Sequence, residues 1–325
     1  MALTDRDIAQ AIQIACLLEA AAEKPGNISP GKSFDDLNYS HFLFSAAAVF
    51  PAFLNIEEKS VGEIVYQGIK ETHSLIETNT NLGILLLTAP LASAYVNLRK
   101  RKKQSFFDYP SMELEKWDKE KENNLNGGTS FLKKLRKELH LVLNSLDKKD
   151  AELAYQAINF SKAGNLAKVE KGDIADKVDL NLYDAMKLAE YRDNIAFEYV
   201  NDYSIIFDFA YPKFITNMNK IDSIDNLIIK TFIEILAEYP DSLIARKYDL
   251  KTAEKISLKT GKLLKKLENF DIQSKEAKNL IAEFDKYLRS KKRKFNPGTT
   301  ADIITAVIFL SILVYGKKII KIWSE

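Results

Sequence analysis

The sequence predicts an all-α fold, because apolar residues recur at helical spacing in nearly every long segment of the chain. The alternation of apolar and polar residues that marks a strand is nearly absent, and residues 203–209 form one short ambiguous stretch. The chain has 325 residues, enough for one large domain or two ordinary ones, and no fixed-period repeat is apparent. We therefore predict a single large domain over residues 1–325, with about ten or more helices whose polar connecting loops converge on one cleft.

The positions of the helices follow from the same patterns. A first helix begins after Thr4, whose hydroxyl can cap the backbone amide of Asp7, and it buries a face that includes Ile8, Ile12 and Leu18. The other predicted helices lie near residues 61–77, 84–98, 131–145, 148–160, 181–200, 224–238, 251–269, 274–289 and 300–320.

The composition indicates a globular protein and excludes several functions. Apolar residues make up 46% of the chain and charged residues 28%, and a net charge of +2 gives no field that would attract nucleic acid. The single cysteine, Cys16, rules out an internal disulfide, and the three histidines lack the spacing of metal ligands. The N-terminus is too polar for a secretory signal, and the apolar run at 303–315 is shorter than a bilayer span of about 20 residues. We expect a core helix there, and a cytoplasmic protein that binds neither nucleic acid nor membrane.

Residues 99–128 differ from the rest of the chain. A basic cluster at 99–103 is followed by a densely charged stretch at 113–122 and then by Asn-Gly-Gly. Such charge density with few apolar residues predicts a solvated, mobile insertion in the domain. The basic cluster could meet phosphate, but a charge run more often forms a solvated face.

Residues 26–33 match the phosphate-loop pattern G-x-x-x-x-G-K-[ST]. In a true phosphate loop a strand precedes the loop and a helix follows it, so that backbone amides face the phosphates. Here an amphipathic helix comes first, no parallel-strand pattern follows, and Pro25 and Pro30 each lack an amide donor. We therefore expect no phosphate-loop fold, although an ATP-dependent kinase or NTPase that uses this loop stays an alternative.

Two other polar loops have the composition of binding sites. The loop at 23–31 follows the first helix, and its prolines and glycines would hold Lys24 and Asn27 in fixed directions, which suits a charged ligand. The loop at 79–83 places Asn79 and Asn81 at a predicted helix N-terminus, where unpaired amides and the helix dipole favour an anion. The alternative for a single loop of this kind is that it only caps its helix.

Charged residues beside apolar helix faces are further candidates. Arg192 and Asp193 lie next to a predicted seam of apolar residues and small alanines, where an unpaired charge would be costly. Each therefore needs a ligand or a partner, and a structural ion pair is the alternative. Arg246 and Lys247 follow Asp241, and they could recognise phosphate or simply pair with that carboxylate at the surface.

The segment at 296–302 joins a turn to the last long helix. Pro297 and Gly298 predict the turn, and the hydroxyl of Thr299 or Thr300 can cap the helix that follows. Asp302 lies in the first turn of that helix, where the dipole would stabilise it as a carboxylate.

The order of these motifs along nearly the whole chain resembles one enzyme family. In chain order they are residues 23–31 (EKPGNISPG), 79–83 (NTNLG), 184–186 (DAM), 192–196 (RDNIA), 240–247 (PDSLIARK) and 296–302 (NPGTTAD). Each motif is weak alone, but the ordered set is fairly specific. It resembles the triphosphoribosyl-dephospho-coenzyme A synthase family of soluble, all-helical nucleotide transferases.

The resemblance implies a reaction in which ATP gives its triphosphoribosyl group to a ribose hydroxyl of dephospho-coenzyme A, and adenine leaves. The change from β-configured ATP to an α product implies one direct displacement, with a transition state like an oxocarbenium ion. A carboxylate must take the hydroxyl proton, and the catalytic candidates are Asp36, Asp193 and Asp302. Mg²⁺ would accompany ATP, with Asp193 and Asp36 as candidate ligands. The candidate residues for substrate and nucleotide binding are Lys24, Asn27, Ser29, Asn79, Asn81, Arg192, Asp241, Arg246, Lys247, Asn296, Thr299 and Thr300.

The chain also departs from the better-known bacterial members of this family. Many of them have Asn-Thr-His-Lys-Gly at the motif of residues 79–83, so that Leu82 replaces a potential phosphate-binding lysine. Their usual Gly-Leu-Gly is Asn-Leu-Ala at residues 165–167. The chain thus resembles a divergent branch, and an alternative is a ribosyl transferase for another cofactor such as a methanopterin. A noncatalytic helical interaction protein is the third alternative, favoured if the polar loops are only caps.

Overall fold

The computed structural model describes residues 2–35, 37–104, 125–161, 180–290 and 295–324. Within these ranges the chain forms fifteen α-helices and no strand, which confirms the predicted all-α class. The helices are α1 (Asp5–Ala21), α2 (Tyr39–Ala48), α3 (Val61–Leu75), α4 (Leu82–Gln104), α5 (Leu125–Asn144), α6 (Lys148–Phe160), α7 (Leu182–Lys187), α8 (Asn194–Val200), α9 (Tyr211–Met218), α10 (Ile224–Glu238), α11 (Ser242–Lys247), α12 (Leu250–Leu267), α13 (Lys275–Arg289), α14 (Gly298–Tyr315) and α15 (Lys318–Ser324).

Helix α14 lies at the centre of the fold and packs against α1, α4 and α10. It is buried along nearly its whole length, as the composition of 303–315 predicted. Two helices are long and apolar enough to cross a membrane by length and composition, one of them α14 and the other spanning Leu82–Arg101 of α4. Most of each is buried against other helices, so both have the packing of core helices.

Helix α4 contains a proline, and the fold compensates for it. Pro90 has no N–H, so the carbonyl of Leu86 loses the donor that an ordinary helix would supply four residues later. The Tyr199 hydroxyl donates to that carbonyl at 2.7 Å, and the Tyr203 hydroxyl donates to the next one, of Leu87, at 3.0 Å. Both tyrosines are fully buried. These bonds attach α8 and the segment after it to the middle of α4.

The start of α1 confirms its predicted cap, whereas residues 181–200 differ from the prediction. Thr4 accepts from the amide of Asp7, whose carboxylate accepts from the amide of Thr4 in return. The predicted helix at 181–200 is two short helices, α7 and α8, separated by a turn at 188–192. Asp193 is therefore the N-cap of α8 and not a mid-helix residue.

The basic cluster at 99–103 belongs to α4, which continues to Gln104. Arg99 is buried, donates to the carbonyl of Leu3 at 2.8 Å and pairs with Asp5 and Glu57. Arg99 is therefore a structural residue and not part of a solvated face. Residues 105–124, the remainder of the predicted insertion before α5, lie outside the described residues.

The ambiguous stretch at 203–209 is π-helical, over Ile205–Ala210. It follows Asp202 and Tyr203, which both have positive φ. The buried carboxylate of Glu198 accepts the amides of Ile205 at 2.7 Å and Ile206 at 3.0 Å, two donors that the irregular backbone leaves free. Burial raises the pKa of Glu198 to about 8.

We expect Glu198 to make the stability of the fold depend on pH. Because its folded pKa is raised, its contribution is fully present below the ordinary carboxyl pKa and is lost as the pH rises towards about 8. Glu198→Gln cannot titrate. The thermal midpoint of the wild type, measured against that of Glu198→Gln at each pH, should therefore fall from pH 5 to pH 8. Midpoints that run parallel over this range would contradict the assignment.

Candidate active site

A deep cavity of about 480 Å³ lies where the polar loops meet. This volume is in the range of small-molecule sites, which run from about 300 to 1,000 Å³. Its apolar walls include Leu82, Ile84, Leu86, Tyr155, Ile158, Leu182, Met186 and Ile195. The predicted site residues that it brings together are Asn27, Asn79, Asn81, Arg192, Asp193, Arg246, Asn296, Thr299 and Asp302. The predicted convergence of the loops on one cleft therefore holds for most of the candidates.

Three helices begin at this cavity. The first residues of α4, α8 and α14 all contribute to its lining. The first N–H groups of a helix have no partner within the helix, and the dipole adds partial positive charge there. The three N-termini add partial positive charge to one space, although side chains of Asn79, Asp193 and Asp241 already accept some of their amides.

Asp302 faces the cavity from α14, directly against Gly83 of α4. A Cβ atom added to Gly83 would lie 2.0 Å from Oδ2 of Asp302, so any other residue at position 83 would displace the Asp302 carboxyl group. Burial raises the pKa of Asp302 well above its usual value, and the nearby carboxylates of Glu19 and Asp241 raise it further, while Arg246 opposes them. Burial and these carboxylates thus oppose the ionised form of Asp302 that the helix dipole was expected to stabilise.

Glu19 of α1 lines the cavity and was not predicted from the sequence. Its buried carboxylate pairs with Lys24 at 3.0 Å. The Lys24 ammonium also donates to the backbone carbonyls of Glu19 and Ala22, so its three protons all have acceptors. Lys24 does not line the cavity. It closes the C-terminal end of α1 and fixes Glu19, and it has no proton left for a phosphate.

Asp193 has a partner for each of its carboxylate oxygens. Oδ1 accepts the amides of Ile195 at 2.9 Å and Ala196 at 3.2 Å, which caps α8. Oδ2 pairs with Arg246 of α11 rather than with the adjacent Arg192. Burial lowers the pKa of Arg246 to about 10. Arg192 is exposed at the cavity, and its guanidinium lies 5.9 Å from the ring centroid of Tyr191.

Two asparagines that line the cavity have unpaired side-chain oxygens. Nδ2 of Asn27 donates to Oδ1 of Asn296 at 2.7 Å, and Nδ2 of Asn81 donates to the hydroxyl of Thr72 at 2.8 Å. Thr72 in turn donates to the carbonyl of Gly68, which leaves its oxygen as the acceptor for Asn81. Oδ1 of Asn27 and Oδ1 of Asn81 are both buried and have no protein partner. A buried oxygen without a donor is costly, which favours a ligand that supplies one.

Asp241 is a structural residue between two helices. Its Oδ1 accepts the amide of Ile244 and caps α11, and its Oδ2 accepts the amide and hydroxyl of Thr300 at 2.7 and 2.8 Å. The cap of α14 thus comes from Asp241, and the prediction that Thr299 or Thr300 caps it is wrong. The Thr299 hydroxyl accepts from Ser242 at 3.0 Å.

The remaining candidates have different environments. Asn79 accepts the amide of Leu82 at 3.1 Å, so it caps α4 as well as lining the cavity. Ser29 is buried and Lys247 is exposed, and both lie away from the cavity lining. Asp36 lies outside the described residues, as do residues 165–167.

The segment at 26–33 is not a phosphate loop. A backbone bridge joins Ser29 and Lys32 in a tight turn, and the next helix begins only at Tyr39. The Lys32 ammonium pairs with Glu23 at 3.1 Å and with Asp285 at 3.5 Å. Neither the helix nor the free lysine of a phosphate loop is therefore present in this segment.

The fold and the site together define an all-α enzyme with a deep cavity for an anionic substrate. The chain belongs to the CitG family, ATP:dephospho-CoA triphosphoribosyl transferase, which matches residues 5–319. It is a transferase of the triphosphoribosyl-dephospho-CoA synthase type, which confirms the function that the order of the motifs predicted. The comparisons with known proteins give no support to the alternative functions.

A crystal structure from Archaeoglobus fulgidus has the same fold. That protein, provisionally assigned as a triphosphoribosyl-dephospho-coA synthase, is 24% identical, with a TM-score of 0.57 over 84% of this chain and 98% of its own. At this identity the likeness shows the fold alone. No curated protein matches the sequence.

We expect Lys32 to be dispensable for nucleotide binding, because its ammonium lies in a surface ion pair and not in the cavity. Lys32→Ala should leave the Kd of ATP, measured by titration calorimetry, within a few-fold of the wild type. A hundredfold loss, which corresponds to about 2.7 kcal/mol, would restore the kinase or NTPase alternative.

Asp193→Asn should damage the fold and ATP binding more than the chemical step. The amide keeps the cap of α8 but turns a donor towards Arg246, and breaking a buried ion pair typically costs about 3–5 kcal/mol. We expect a lower thermal midpoint and a higher KM for ATP, with kcat of the folded protein within tenfold of the wild type. An unchanged midpoint with a hundredfold lower kcat would instead identify Asp193 as the base.

Proposed function

We propose that the cavity binds ATP and is where its triphosphoribosyl group passes to the ribose hydroxyl of dephospho-CoA. The partial positive charge at the N-termini of α4 and α14, together with Arg192, would attract the triphosphate, and the apolar walls would take the adenine and the body of the acceptor. The burial of both long apolar helices supports a protein that works in the cytoplasm.

The reaction moves one proton from the acceptor to the leaving group. The bond between the ribose anomeric carbon and adenine breaks, a bond from that carbon to the acceptor oxygen forms, and the hydroxyl proton must leave as adenine gains one. Two carboxyl groups with opposite protonation states can serve these two steps. Asp302 is favoured as the acid that protonates adenine, because it is half-buried at the cavity against Gly83 and its pKa is raised. Glu19, whose charge Lys24 compensates, is favoured as the base.

The charges around the cavity favour a divalent cation with ATP. Lys24 pairs with Glu19, and Arg246 pairs with Asp193, so each pair contributes little net charge. Among the described residues, that leaves Arg192 as the cation at the cavity for a triphosphate with several negative charges. Mg²⁺ would neutralise part of that charge and orient the phosphates.

Side-chain oxygens that fit Mg²⁺ are present at the cavity. The unpaired amide oxygens of Asn27 and Asn81 are hard oxygen ligands of the kind that Mg²⁺ prefers. Both oxygens of Asp193 are already used, which makes it a weaker candidate than it was from the sequence. The described residues contain no group of three or more His, Cys, Asp or Glu side chains suited to a metal. This fits a cation bound mainly through the phosphates of ATP.

The proposal is tested by identifying the product released from ATP. With ATP, Mg²⁺ and dephospho-CoA, chromatography should show free adenine in a one-to-one ratio with the transferred triphosphoribosyl group. Asp302→Asn should lower kcat for adenine release by about a hundredfold or more, the usual scale for loss of acid–base assistance. Asp225→Asn, an exposed aspartate in the first turn of α10, is the matched control and should leave kcat unchanged. Release of ADP or phosphate without adenine would contradict the proposal.

A further inference from the structure

We propose that Asp285 and Arg289 of α13 are positioning residues that hold the Asn27 side chain in its binding orientation. The inference rests on the proposed function, because it assigns a role in ATP binding to residues that lie behind the cavity wall. Neither Asp285 nor Arg289 lines the cavity. Any effect on the substrate must therefore pass through the loop that carries Asn27.

The contacts run from α13 to the backbone on both sides of that loop position. Oδ1 of Asp285 accepts the amide of Gly26 at 2.7 Å and Nε of Arg289 at 2.9 Å. Nη2 of Arg289 donates to the backbone carbonyl of Asn27. Asp285 is buried, so these charge-assisted bonds are shielded from water and are stronger than surface ones. The peptide groups that carry the Gly26 amide and the Asn27 carbonyl therefore have little freedom to rotate.

Packing removes the remaining freedom of the loop. Gly26 has a φ of +82°, and a Cβ atom at this position would lie 2.8 Å from Leu288 and 2.9 Å from Pro297. The loop is therefore held between α13 and the segment that leads into α14. A shift of α13 at this point would move the Asn27 backbone directly.

The orientation of the Asn27 amide depends on where that backbone lies. Nδ2 donates to Oδ1 of Asn296 at 2.7 Å and approaches the carbonyl of Pro297 at 3.4 Å, while Oδ1 is buried without a protein partner. A carbonyl acceptor such as Pro297 also identifies the nitrogen of the amide, since two acceptors cannot pair. The ion pair on α13 thus fixes the amide orientation of Asn27, a residue that lines the cavity.

A double-mutant cycle separates positioning from simple stabilisation. Arg289→Met removes the hydrogen bonds but keeps an apolar stem against the Phe34 ring, over which the guanidinium lies at 5.0 Å. We expect it to weaken ATP binding about tenfold in the native background and less than twofold in the Asn27→Ala background, where no amide is left to position. Arg289→Lys should restore part of the loss. All Kd values are measured below the thermal midpoint of each variant.

Lys32→Ala is the matched control, because Lys32 contacts Asp285 without contacting Asn27. It should change neither the Kd of ATP nor the coupling. An equal loss from Arg289→Met in both backgrounds, or no loss from Asn27→Ala alone, would overturn the inference. If instead the proposed function is wrong, the wild type will release no adenine from ATP, whatever the double-mutant cycle shows.

Discussion

The close approach of α4 to α14 at Gly83 and Asp302 is the constraint on which the site depends. The carboxyl group of Asp302 occupies the space that any other residue at position 83 would fill with its own Cβ. The approach places a titratable, half-buried group at the meeting point of two helix N-termini. Without it, Asp302 would not be held against α4 at the cavity.

Two buried ion pairs then determine which charges remain available at the cavity. Lys24 neutralises the charge of Glu19, and Asp193 neutralises the charge of Arg246. A buried pair contributes little net stability, but removal of one partner leaves a buried charge that is costly. The pairs therefore keep the loops in place more than they add stability, and they leave few cations free for a triphosphate. This is the physical reason for expecting a metal ion with ATP.

Much of the fold could be predicted, because helical periodicity reports local burial. The long helices α1, α3, α10, α12 and α13 lie within a few residues of their predicted positions. The break between α7 and α8 was missed, because residues 188–192 contain no glycine or proline to signal a turn. The apolar run at 303–315 was predicted as a core helix because its residues are almost all apolar, and it forms most of the buried helix α14.

Motif order predicted most of the cavity residues but not their partners. Lys24 was assigned to phosphate because its acceptors, Glu19 and two backbone carbonyls, lie at a helix end that periodicity does not mark. A carboxylate within the apolar sequence of α1 was a signal that could have pointed to Glu19. Asp193 and Arg246 are 53 positions apart, so the adjacent Arg192 was the partner that sequence distance suggested. Which charged residues pair depends on tertiary packing, and the spacing of residues within one segment carries no information about it.

The protonation state of Asp302 tests this account most directly. Infrared difference spectra of the wild type minus Asp302→Asn, at neutral pH, would isolate this group from Glu198 and Asp241, two buried carboxyls whose pKa is also raised. The account predicts a carbonyl stretch of a protonated carboxylic acid in the difference spectrum, lost only as the pH is raised. A carboxylate band alone at neutral pH would show that Asp302 is ionised and cannot be the acid that protonates adenine.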